Sequence, residues 1–115
     1  MTEAEKHELD VWIAEQFMGW EAITITTRLG FKIGKNPNTK LPCDIPYYAE
    51  HPNAFALVKC EIERRGWSWA CSFGAIESNR YAFAITDLEN HTSGRFAESE
   101  ELAGCLAVKA ALESV

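Results

Sequence analysis

Residues able to do chemistry are few in this chain, and their spacing does not gather them. The histidines His7, His51 and His91 fall in a predicted helix, at a helix start and in a turn. A metal centre needs several convergent ligands, and no HxH, HxxxH or HExxH spacing occurs. The best ligand set on offer is His51 with Cys43 and Asp44, should the fold bring them together, and the expectation is no metal and no cofactor. A cysteine nucleophile needs a lowered pKa and a base. Cys43 is the cysteine expected to be exposed, but the Asp44 carboxylate beside it raises a thiol pKa, so no catalytic residue is assigned. Gly30 and Gly34 in GFKIGK echo a phosphate loop only faintly, because the spacing departs from GxxxxGK[ST] and Asn36 follows Lys35.

Binding residues are easier to find than catalytic ones. Tyr47 and Tyr48 sit at a polar loop edge, and aromatics in such places often anchor interfaces. Glu98, Glu100 and Glu101 form an acidic group that suits a basic protein partner. A small-ligand alternative uses Lys32, Lys35 and Lys40 against a phosphate, Tyr47 or Tyr48 stacking on a base, and the segment from Gly30 to Tyr48 as a lid. Trp67 and Trp69 read instead as core.

The elements that must carry these residues can be read in order. Thr2 and Glu5 form a capping-box pattern. Leu9, Trp12, Ile13, Phe17 and Trp20 then recur at helical spacing, with His7, Glu8, Asp10 and Glu15 off the stripe, which predicts a helix over 3–18 stopped by Gly19. EAITITTRL alternates and predicts a strand over 22–28. The segment 30–46, with two glycines and three of the four prolines, reads as a loop. Pro52 opens a helix over 52–65 with Ala54, Phe55, Leu57, Val58 and Ile62 inward, ended by Gly66. Strands over 67–73 and 81–86 pair as an antiparallel hairpin with Asn79 at its turn, and Arg95 to Ala97 adds a short third strand. Ser99 caps a helix over 100–113, whose inner side carries Leu102, Cys105, Leu106 and Leu112.

The 115 residues therefore predict one α+β domain spanning 1–115, with three helices and a small, mainly antiparallel sheet. Hydrophobic content of 47% and charged content of 24% are those of an ordinary globule. A net charge of −6 argues against unaided binding to DNA or RNA, where affinity comes from Lys and Arg on phosphates. No membrane-length apolar run is present, and the polar start MTEAEKHELD reads as a cytoplasmic protein without a signal peptide. Cys43, Cys60, Cys71 and Cys105 lack CxxC spacing and are read as free thiols, with Cys60 and Cys105 on the apolar sides of their helices.

Ala14-Glu15, Met18-Gly19-Trp20, the stretch from Tyr47 to Ala54, and Ala103-Gly104-Cys105 with Ala107 and Ala110 together resemble the phage ABA sandwich domain family. Members are small proteins encoded by phages and prophages. The resemblance implies a layered α/β/α sandwich with the sheet between helices, the cytoplasm of an infected or lysogenic bacterium, and no established activity. This chain departs from the family's pattern in the long segment from Gly30 to Pro46, and in Glu50-His51-Pro52 where a Ser, Thr or Asp cap is common. The expected function is a non-enzymatic module that binds a host protein, such as a basic nucleic-acid-handling complex of the CRISPR type, and inhibits it. The alternatives are a nucleotide or small-ligand binder and a phage structural or assembly protein. The oligomeric state, with a dimer among the choices, is left open.

Overall fold

A computed structural model describes residues 2–26, 31–74 and 80–113. Among them, three helices and six strands follow in the order α1 (Glu3–Gln16), β1 (Glu21–Thr26), β2 (Phe31–Lys35), β3 (Pro42–Asp44), α2 (Pro52–Arg64), β4 (Ser68–Gly74), β5 (Arg80–Thr86), β6 (Thr92–Ala97) and α3 (Glu100–Glu113). The α+β class, the three helices and the antiparallel pairing are as expected. The strands divide between two three-stranded sheets, β1-β2-β3 and β4-β5-β6, rather than gathering in one. No helix among the described residues is long and apolar enough to cross a membrane.

The capping box at Thr2 forms as its sequence requires. The Glu5 amide donates to Thr2 Oγ1 at 3.2 Å and the Thr2 amide donates to Glu5 Oε1 at 3.3 Å. At the other end α1 stops at Gln16, two residues short of the expected boundary. There the Met18 and Trp20 amides reach back to the carbonyls of Ile13 and Ala14, closed by Gly19 at φ +83°.

The segment 30–46 was expected to be a loop, and most of it is a hairpin. Ile33 pairs with Asp44, Gly34 with Cys43 and Lys35 with Pro42. Proline and glycine signal a break only where a lost amide or side chain matters. Pro42 opens the edge strand β3, where no ladder amide is needed. Gly34 lies so close to the Trp20 ring that a Cβ would come within 3.1 Å of it. Pro37 falls in the connecting turn, which the Asn36 side chain closes by accepting from the Asn38 amide at 2.8 Å. The proposed strand residues 27–28, Gly30 and the Asn79 turn lie outside the described residues.

In the second sheet β4 and β5 pair in full register from Ser68 with Thr86 to Gly74 with Arg80, and β6 adds on the far side of β5. The expected short third strand is longer, starting at Thr92. The inner face of β5 sets Phe83 and Ile85, both fully buried, under the helices. Trp69, stacked on Phe83 with ring centroids 5.5 Å apart, and Trp67, beside Phe17, are half-buried and pack against the core rather than within it. Helix α3 is the centre of the molecule: it touches β5, β6, α1 and α2 and buries Leu102, Ala103, Gly104, Cys105, Ala107, Val108 and Ala111. Its alanines and glycine let neighbours approach on several sides at once. Helix α2 buries Phe55, Val58 and Ile62, but Leu57, expected inward, is 50% exposed.

Candidate functional site

The segment from Ile45 to His51 folds against α1, and the joint is polar. Asp10 of α1 is fully buried. Its Oδ2 accepts from Lys32 Nζ at 2.7 Å and its Oδ1 accepts from the Ala49 amide at 2.9 Å. Burial pushes the Asp10 carboxyl above its ordinary value, against the pull of the Lys32 and Ala49 hydrogen bonds. The Lys32 ammonium also lies 4.6 Å from the centre of the Tyr47 ring.

Several residues proposed from sequence are therefore occupied. Lys32 is a buried partner of Asp10, not a surface phosphate ligand. Tyr48 is 1% exposed, and its hydroxyl accepts from Trp20 Nε1 at 3.0 Å, so it neither anchors a partner nor stacks on a base. Burial pushes its phenol up to about 12. Tyr47 is half-buried, with its ring between His7 and His51 at 5.7 and 5.2 Å. Lys35 and Lys40 are exposed, one on β2 and one in the following turn, and do not join Lys32. Glu98 lies 3.8 Å from Lys6, Glu100 is paired with Lys59, and Glu101 is half-buried, so two of the three acidic candidates already hold a cation.

Asp10 was missed because it stands beside the apolar stripe of α1 and looks solvated. The His51, Cys43 and Asp44 set does not assemble among the described residues. Asp44 and His51 border one shallow cleft without Cys43. The ligand-type cluster that does form is Glu3, His7 and Glu50, whose ligand atoms lie within 4.8 Å of one another. Glu50 Oε1 is buried with no hydrogen-bond partner. Burial, with the neighbouring Glu3 carboxyl, pushes the Glu50 carboxyl up, and the hydrogen bond with Glu50 holds that of Glu3 down.

A separate cleft of about 550 Å³ is bordered by Phe17, Trp20, Asn36, Asn38, Arg64 and Arg65. Its two arginines are both tied to Glu61, Arg64 through Nε at 2.6 Å and Arg65 through Nε at 3.1 Å. Arg65 also donates to the Phe17 carbonyl at 3.0 Å.

The outer face of the second sheet differs from the rest of the surface. In register across the strands it carries Ser68, Thr86 and Thr92, then Ala70, Ala84 and Gly94, then Ser72, Ala82 and Phe96. None of these is charged, in a chain with 28 Asp, Glu, Lys and Arg residues (17 acidic plus 11 basic); Arg80, paired with Gly74, closes the same face at one end of β5. No described element covers the face, and Phe96 stands 66% exposed beside a shallow depression floored by the alanines and bordered by Arg95.

The thiols also differ from expectation. Cys60 is exposed and Cys43 only half-buried, while Cys105 is buried and burial pushes its thiol well above the ordinary value. Under native conditions a thiol reagent is expected to modify Cys60 first and leave Cys105 unreacted until the protein unfolds; mass spectrometry of the labelled peptides checks the order.

A scan of protein-family models finds no match to this chain, and searches of curated proteins and of solved structures find none either.

Proposed function

We propose that this chain is a protein-binding module that docks on its partner through the outer face of β4-β5-β6. In the setting suggested by its resemblance to small phage proteins, that partner is a host protein. What carries the proposal is the platform of small uncharged residues, with Arg80 and Arg95 only at its margin and Phe96 rising from it. Most of the surface is strongly hydrated and costly to desolvate, whereas this face loses little on contact, and an exposed aromatic beside a depression is the usual anchor of an interface. The acidic candidates contribute less than their number implies, because Lys6 and Lys59 already neutralise two of them.

Affinity capture from host lysate tests the proposal. The wild-type chain should retain one host protein stoichiometrically, Phe96→Asp and Ser72→Arg should lose it, and Leu57→Asp, on exposed α2, should keep it. Retention of the same protein by both face variants rejects the docking face. An empty capture rejects the module, and the cleft at Trp20 and Arg64 then favours a small ligand. A melting-temperature rise with nucleotides would report that alternative.

A further inference from the structure

We propose that Glu3, His7 and Glu50 form a binding site for a divalent transition-metal ion of the zinc class. The site lies on α1 and the segment after β3, and it uses none of the residues of the open sheet face. Glu3 and His7 stand four residues apart on α1 and so project from one side of the helix. Glu50 comes from the segment that Asp10 holds down. The Asp10 carboxylate grips the Ala49 amide at 2.9 Å, which places the next residue beside the α1 side chains. The Tyr47 ring packs against His7 and limits the imidazole's freedom. Both chains that supply ligands are thus anchored by buried contacts, and ligands held this way lose little entropy on binding an ion.

Glu3 has the Lys6 ammonium beside it at 3.6 Å, but Glu50 has no hydrogen-bond donor at its buried oxygen. The ligand oxygens of Glu3 and Glu50 lie within 4.8 Å of each other, and Glu50 Oε1 is withdrawn from water without receiving a donor. A buried acceptor in that condition is satisfied by a water or an ion. The ligand atoms lie within 4.8 Å of one another, and zinc–ligand bonds of about 2.0–2.2 Å require separations of roughly 3.3–3.5 Å. Side-chain rotation by about an ångström at each ligand closes that gap. Lys6 lies 3.6 Å from Glu3, but it also lies 3.8 Å from Glu98 and has that carboxylate to turn to. One imidazole nitrogen with carboxylate oxygens suits zinc, cobalt or nickel better than magnesium or calcium, which take oxygen alone. His7 keeps 35% of its side chain exposed, so water completes the coordination.

Isothermal titration of tag-free, chelator-stripped protein with zinc chloride tests the site, with magnesium chloride as contrast. One equivalent of zinc should bind, with release of protons, and magnesium should not compete. Glu50→Gln and His7→Ala should each weaken binding by more than about 100-fold, the upper end of what loss of an outer-shell partner costs. His91→Ala should leave it unchanged, although Asp87 and Glu89 lie 3.7 and 3.9 Å from that imidazole. Zinc-induced shifts of the His7 ring protons, with those of His51 and His91 unmoved, give a second readout in the unaltered protein. Well under one equivalent of zinc, binding that survives Glu50→Gln, or binding lost in His91→Ala overturns the assignment.

Discussion

Gly104→Ala lowers the midpoint of thermal unfolding by roughly 10 °C, the consequence of losing about 3 kcal/mol from a domain of this size. On an exposed helix the same change would stabilise by about 1 kcal/mol. Here the added Cβ would fall 2.0 Å from Cζ and 2.5 Å from Cε1 of Phe55, well inside any tolerable contact. The ring has little room to move. Phe55 is 2% exposed and meets Phe83 edge-on with centroids 5.5 Å apart. Accommodation therefore means moving α2 away from α3 or pushing the ring into the Phe83 packing. Phe55→Leu in the Gly104→Ala background should restore part of the loss, because a shorter side chain vacates the space. The double variant should then be more stable than the sum of the single changes predicts. Differential scanning calorimetry of the two singles and the double checks this. A Gly104→Ala protein that melts with the wild type would show that the close approach is not made.

How much of this was legible beforehand follows from what a one-dimensional pattern encodes. The three helices announce themselves through caps and spacing: Thr2 with Glu5, Pro52, and Ser99, whose hydroxyl accepts from the Leu102 amide at 3.2 Å. The β4–β5 hairpin is legible because aromatic and small residues alternate strictly. The hairpin of β2 and β3 is not, because Gly34, Pro37 and Pro42 imitate loop punctuation while occupying places where they do no harm. Cys60 misleads through its chemistry. It stands about 200° around the helix from Val58, so spacing puts it outside, while its low polarity argues for the core. Asp10 and Lys32 are separated by 22 residues, and neither carries a mark of the other. Glu3 and His7 show helical spacing, but Glu50 joins them only through the Asp10–Ala49 contact. Contacts made across the tertiary fold leave no local pattern, and the buried polar contacts of Asp10 and of Tyr48 are of that kind.

Asp10→Ala costs about 3–5 kcal/mol, as expected when one member of a buried ion pair is removed and the other remains. The Lys32 side chain is 2% exposed and would be left buried without its partner, and the Ala49 amide would lose its acceptor. Against a total stability of about 5–15 kcal/mol this is a large fraction. Lys32→Met is milder and depends on pH. Asp10 already has its carboxyl pushed up by burial, and losing the ammonium removes the main opposing pull. A folded pKa above the unfolded one means that the native state holds the proton more tightly. Stability is then greatest below the unfolded carboxylate range and falls as pH rises through the folded pKa, so the Lys32→Met protein should tolerate more urea under mildly acidic conditions than under alkaline ones. Combining Asp10→Asn with Lys32→Met removes both charges and keeps an oxygen for the Ala49 amide. That pair should recover most of the loss and flatten the pH dependence, which separates the charge from the packing. Urea midpoints for the three variants at two pH values decide the matter. Singles within about 1 kcal/mol of wild type, the range of exposed ion pairs, would place Asp10 and Lys32 in contact with water.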